Sequence, residues 1–188
     1  MKRIFGFSLI IVAAFFTWSC NSNKETKVAS SSTENANVAG QSAVQDDESA
    51  KDVVKVVAGS KDHTTLVAAV KQAELVDALS NAGPFTVFAP TNAAFEKLPK
   101  GTVEDLMKPE NKEKLQDILQ YHVYVGVIKT EIMQDGQTLN EVNGGNITIQ
   151  KSADGKVTIN GKAHIIASIP ASNGIVHVID EVLLPPTK

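Results

Sequence analysis

The second half of the chain is cut by four turn signals that dictate hairpins. Asn143-Gly144-Gly145, Ala153-Asp154-Gly155, Asn160-Gly161 and Ser172-Asn173-Gly174 each supply Gly, Asn or Asp, the residues that tolerate positive φ in tight turns. Between them lie short runs rich in β-branched and apolar residues, at 137–142, 147–150, 156–159, 162–169 and 175–184. A chain so divided folds there as antiparallel strands. A further β-rich run, 123–128, precedes them, with Gly126 placed as a bulge. Across 174–184 apolar residues fall on both faces, the pattern of a strand covered on both sides. His177 and Asp180 are its polar interruptions, and both are expected to be hydrogen-bonded structural groups of the core.

The preceding segment follows the helical period instead. Asp52 is placed to cap a short helix carrying Val53, Val54, Val56 and Val57. Residues 64–80 repeat apolar positions at helical spacing and stop at Asn81-Ala82-Gly83-Pro84. Residues 85–89 read as a buried strand, and Pro90-Thr91-Asn92 turns the chain into a helix around 93–97. Thr102 and Asp105 suggest a capping box. Residues 111–121 form an amphipathic helix with Leu115, Ile118, Leu119 and His122 on one face. Helices first and hairpins after predict an α+β domain rather than a βαβ one.

The chain start reads as an export signal. Lys2 and Arg3 precede an apolar run over 4–16, too short to span a membrane comfortably. Thr17-Trp18-Ser19-Cys20 follows, and Cys20 is the only cysteine. A small residue before a cysteine resembles the lipobox of bacterial lipoproteins. That resemblance implies a signal peptide over 1–19, cleavage before Cys20, a lipid on its sulfur and an anchor in the membrane. Residues 21–51 are polar, with Ser30-Ser31-Ser32 and no aromatic residue, and read as a disordered linker. Asp46-Asp47-Glu48 within it is read as a solvating run rather than a metal site. The folded domain is placed at 52–188, behind a lipidated cysteine and linker at 20–51.

Charge excludes one large class of partner. The only arginine is Arg3, and the net charge is −3. A domain with no guanidinium forks and an acidic balance is not a nucleic-acid binder.

Two blocks are distinctive together: Thr86-Val87-Phe88-Ala89-Pro90-Thr91-Asn92-Ala93-Ala94-Phe95, and Ser172-Asn173-Gly174-Ile175-Val176-His177-Val178-Ile179-Asp180-Glu181-Val182-Leu183-Leu184-Pro185. Between them stands Ile118-Leu119-Gln120-Tyr121-His122-Val123. In this order and spacing they resemble the fasciclin (FAS1) domain family, over about 52–185. The resemblance implies a wedge of two packed, mainly antiparallel β-sheets with several helices on one side. It also implies adhesion or matrix binding rather than catalysis, with a protein or polysaccharide of the cell envelope as partner and weak self-association as a further option. An apolar, pigment-like ligand held between helices and sheet is the alternative. Many members have an acid near Ser168, where this chain has Ala167-Ser168-Ile169-Pro170, so a role resting on a carboxylate there does not carry over. In some animal relatives the Tyr-His stretch is linked to adhesion. Carried over by position, it makes Tyr121, His122, Asp117 and Ile118 the candidate partner-binding residues, with Tyr121 turned about 100° from His122 towards the rim.

Chemistry finds little purchase. Ser172, His177 and Asp180 offer a nucleophile, a base and an acid, yet no G-x-S-x-G elbow is present, and positions 177 and 180 point to opposite faces of an extended strand. His63, His122 and His164 show no metal-ligand spacing. No enzymatic activity, metal or other cofactor is expected.

Overall fold

The computed structural model describes residues 50–186. Cys20, the leader and most of the linker lie outside the described residues.

Helix α1 (Val53–Ala58) starts where Asp52 accepts the Lys55 N–H at 2.8 Å. A 3₁₀ turn at Lys61–His63 leads into α2 (Thr64–Gln72). The single helix expected over 64–80 is two, because α2 ends at Gln72 and α3 covers Val76–Ser80. Glu74 sits between them in the left-handed region, φ 58°. The Leu75 N–H reaches the Val70 carbonyl at 3.1 Å and the Glu74 N–H reaches Lys71 at 3.0 Å. That pair of bonds is a Schellman stop, which turns Leu75 back onto the core without a glycine.

Strand β1 (Phe85–Pro90) and α4 (Asn92–Glu96) follow, the latter capped by Thr91. No capping box forms around Thr102. Gly101, φ 86°, is the cap of α5 (Thr102–Leu106), and the Asp105 carboxylate instead pairs with Lys108 at 2.9 Å. A 3₁₀ turn at Pro109–Asn111 leads into α6 (Lys112–Gln120), which buries Leu115 and Leu119.

The remaining strands are β2 (Val123–Val125), β3 (Thr138–Asn140), β4 (Asn146–Lys151), β5 (Val157–Ile159), β6 (Ala163–Ala171) and β7 (Gly174–Ile179). The domain is α+β as expected. Its two sheet layers are ends of one seven-stranded ladder, ordered β2-β1-β7-β6-β5-β4-β3. Every pairing is antiparallel except β1 with β7, which is parallel. The ladder curls so that both faces of β1 and β7 are covered. Val87, Ala89 and Val176 pack under the helices, while Phe88 and Ile179 pack with Ile147, Ile149 and Ile159 in a second core. The curl nearly closes, since the Val142 N–H just beyond β3 donates to the Val123 carbonyl of β2 at 2.9 Å. The last strand ends at Ile179, five residues short of the expected 184, because the following segment is diverted to the end of α6. There the Leu183 N–H meets the His122 ring.

Candidate functional site

The two sequence blocks meet around His177. Its Nε2 lies 2.8 Å from the Ile128 carbonyl and its Nδ1 2.8 Å from Ser168 Oγ. A carbonyl only accepts, so Nε2 carries the proton and Nδ1 accepts from the Ser168 hydroxyl. Ile128 is itself fixed by Thr86, whose Oγ1 accepts the Ile128 N–H at 3.1 Å and donates to the Gly126 carbonyl at 2.7 Å. The Phe88 ring stacks on His177 with centroids 5.7 Å apart. Burial lowers the imidazole pKa, so the ring stays neutral. His177 is a buried group with both ring nitrogens hydrogen-bonded.

Asp180 is not a core group. It follows the end of β7, a third exposed, accepts the His164 N–H at 2.7 Å and pairs loosely with Lys97 at 3.9 Å. The strand ends before it, which puts it at the rim. Ser172, His177 and Asp180 are therefore not brought together: the histidine's partners are Ser168 and Ile128, and Asp180 faces His164.

Tyr121 does not project to a rim. It is 2% exposed, its hydroxyl donates to the Asn146 carbonyl at 2.8 Å, and it accepts from Asn160 Nδ2 at 3.2 Å. The 100° offset from His122 holds, but the side it points to is covered by the β3–β4 turn, where Gly145 lies against the ring so closely that a Cβ would come within 2.8 Å. His122 is buried too. Nδ1 donates to the Ile118 carbonyl at 2.7 Å and Nε2 accepts the Leu183 N–H at 3.0 Å. Desolvation pushes its pKa down to about 4. Of the four candidate partner residues, only Asp117 and Ile118 reach solvent, each partly. Asp117 is tied to Asn143 Nδ2 at 3.1 Å.

Sequence reading missed what the polar residues of the blocks do. Asn173 Oδ1 accepts the Val53 N–H at 2.9 Å, and its Nδ2 donates to the carbonyls of Leu79 and Asn81, both at 2.8 Å. One side chain thus fastens α1 and α3 to the β6–β7 turn. Asn92 does the same for α2, accepting the Thr65 N–H at 3.0 Å and donating to the Lys61 carbonyl at 3.1 Å. Gly174 is required because a Cβ would overlap the Phe85 carbonyl. Glu141, 2% exposed, was missed as well. Period-2 alternation from the inward Leu139 was the signal for it.

Concavities lie beside these elements. Between the helices and β1, an apolar cavity of about 70 Å³ is lined by Val53, Val57, Leu66, Val70, Val87 and Leu119. A polar groove of about 370 Å³ runs between α4, the β5–β6 turn and residues 181–184, with Lys97, Lys162 and Glu181 on its rim and Leu98 and Leu184 inside. Leu98 and Leu184 also border a small apolar cleft that Ile118 lines.

Residues 61–185 match the fasciclin domain family, a range that takes in every element described above except α1. The chain belongs to the fasciclin domain family. Its fasciclin domain is similar to Protein sll1483 of Synechocystis sp., 52% identical over 154 residues, 82% of this chain and 83% of that protein. It is similar to the immunogenic protein MPB70 of Mycobacterium bovis at 38% over 159 residues, 80% and 77% of the two chains. Human periostin matches at 35% over 125 residues, 66% of this chain but 15% of periostin. Among solved structures, a FAS1 domain pair from the insect cell adhesion molecule Fasciclin I shares the fold, with a TM-score of 0.64 at 20% identity. That match covers 71% of this chain and 51% of the domain pair. No helix among the described residues is long and apolar enough to cross a membrane.

Proposed function

We propose that this protein is an exported, lipid-anchored envelope protein whose fasciclin domain binds a macromolecule, protein or polysaccharide, of the envelope or matrix. The observation that carries the reading is the fasciclin match over 61–185, a domain type that also builds an insect cell adhesion molecule. In this reading 1–19 are cleaved, Cys20 holds the lipid, 20–51 are the tether and 52–188 the binding domain. The contact surface is the groove from Ile118 and Leu98 past Leu184 to Lys97 and Lys162. It offers exposed aliphatic groups beside ammonium and carboxylate groups, and Leu184 is 52% exposed. Tyr121 and His122 act behind it, holding the end of α6 in place. A single such contact is weak, and clustering of lipidated copies on the membrane raises avidity.

The test separates anchor from contact. Cys20→Ser should move the protein from membrane to soluble fractions, or leave the precursor uncleaved, and abolish palmitate labelling. A wild-type protein without palmitate label would sink the anchor. Purified protein is then offered envelope material treated with protease or with periodate, and the treatment that removes binding names the partner class. Failure to bind the untreated envelope material would contradict the adhesive reading.

An apolar ligand is the second reading, and the cavity under α1 and α2 is the observation in its favour. At about 70 Å³ it is well below the roughly 300–1,000 Å³ of ordinary ligand pockets. Uptake of a pigment-sized molecule therefore requires α1 and α2 to part from the sheet.

A further inference from the structure

The chain just beyond β3 closes the sheet and buries an acid at the same place. The Val142 N–H to Val123 carbonyl bond is the one backbone hydrogen bond among the described residues that joins the two edge strands of the ladder. The preceding residue, Glu141, is 2% exposed, and both its carboxyl oxygens are buried without a hydrogen-bond partner. Its backbone is held only within the turn, by the Gly145 carbonyl at 2.7 Å and the Gly144 N–H at 2.8 Å. A carboxylate in such a place has neither water nor a donor to stabilise its charge, so the neutral acid is the form that fits.

The surroundings offer no compensation. The titratable groups on the adjoining elements are Lys112, Glu113, Lys114 and Asp117 on α6, Tyr121 and His122 after it, Tyr124 on β2 and Lys151 on β4. Lys112 pairs with Glu74, Lys114 is exposed, and Lys151 Nζ donates to the carbonyls of Thr130, Glu131 and Met133. Asp117 is engaged with Asn143. The Tyr121 hydroxyl is engaged with Asn146 and Asn160. His122 is neutral with both ring nitrogens committed. None bonds to the Glu141 carboxyl.

We propose that Glu141 is a proton-operated latch on the seam between β2 and the β3–β4 turn, closed while its carboxyl is neutral and released when it ionises. Release is local, because it breaks one backbone bond and the Asn143–Asp117 contact while the β1–β7 ladder stays paired. It uncovers Leu139 and Tyr121 beside Val142, which is already 45% exposed. Burial alone pushes the Glu141 pKa up to about 8, which places the release in mildly alkaline solution.

The test follows the seam by hydrogen exchange and carboxyl titration, using NMR on the full chain labelled with ¹³C and ¹⁵N. Between pH 6.5 and 9.5 the protection factor of the Val142 amide should fall at least tenfold. The amides of Val87 and Val176 should keep theirs, and the Glu141 carboxyl carbon should titrate well above the other glutamates. Glu141→Gln, which mimics the neutral acid, should hold Val142 protection constant over the range. A Glu141 carboxyl that titrates with the other glutamates overturns the proposal. So does Val142 protection that stays level in the wild type or falls equally in Glu141→Gln. The wild-type measurements decide the matter even if the glutamine variant folds poorly.

Discussion

Tyr121 shows how much one side chain can hold in this molecule. It buries its ring in the second core and satisfies its hydroxyl with Asn146 and Asn160. Tyr121→Phe keeps the ring but removes the donor to the partly buried Asn146 carbonyl, and should cost about 0.5–1.5 kcal/mol in urea unfolding. Tyr121→Ala should cost about 3–5 kcal/mol. Charge acts at the same scale through pH. An ordinary glutamate titrates near 4.5, while folded Glu141 titrates at about 8. The folded state therefore keeps a proton that the unfolded state has lost, and stability falls as pH rises between those values. His122 works the other way. Its pKa falls from 6.5 to about 4 on folding, so its contribution is complete above 6.5 and is lost as pH falls towards 4. Buried His63 and His177 act in the same direction as His122. The effects oppose one another below pH 6.5, and above it Glu141 acts alone. Thermal unfolding should therefore show a maximum near pH 6.5 and a loss of about 2 kcal/mol by pH 8, absent in Glu141→Gln. The burial of His122 was legible from helical spacing, three and seven residues after the buried Leu119 and Leu115. That of Tyr121 was not, because what covers it is a turn more than 20 residues further along the chain.

The elements were largely legible because each is bounded by local chemistry. Asp52, Thr91 and the four glycine-bearing turns act on their own neighbours, and the helices and strands begin and end close to them. The errors fall where the deciding partner is distant or the residue type misleads. Glu74 adopts a left-handed conformation without being Gly or Asn, so nothing in 64–80 announces the break between α2 and α3. The end of β7 is set by His122 capturing Leu183, a contact across 61 residues. Asn173 gives the prediction for this scale. Its three hydrogen bonds fasten two helices to one turn. At about 1 kcal/mol each, Asn173→Ala should cost roughly 3 kcal/mol. Hydrogen exchange should show α1 and α3 losing protection ahead of β4 and β5. Uniform loss across the domain would mean that the asparagine is not the fastener.

At the scale of the whole molecule, the curled ladder places two cores on opposite sides of β1 and β7 and leaves the groove beside α4 outside both. The α+β class follows from helices preceding hairpins. The parallel β1–β7 pair and the near-closure of β2 on the segment after β3 do not, because strands far apart in sequence pair by tertiary packing that no local pattern records. The candidate contact surface was legible only at Ile118, and the groove draws its other walls from three separate stretches of chain. The central claim is that recognition resides in that groove and not in the Tyr-His stretch. The most direct measurement compares the affinities of wild type, the Lys97→Ala/Lys162→Ala double variant and Tyr121→Phe for the envelope fraction that binds, together with their melting temperatures. Lys97 is 51% exposed and its ion pairs are long, so the double variant should melt within about 1 kcal/mol of wild type while binding at least tenfold more weakly. Tyr121→Phe should melt lower and, at temperatures where it is folded, bind as wild type does. A double variant with undiminished binding beside a folded Tyr121→Phe that has lost it would contradict the account.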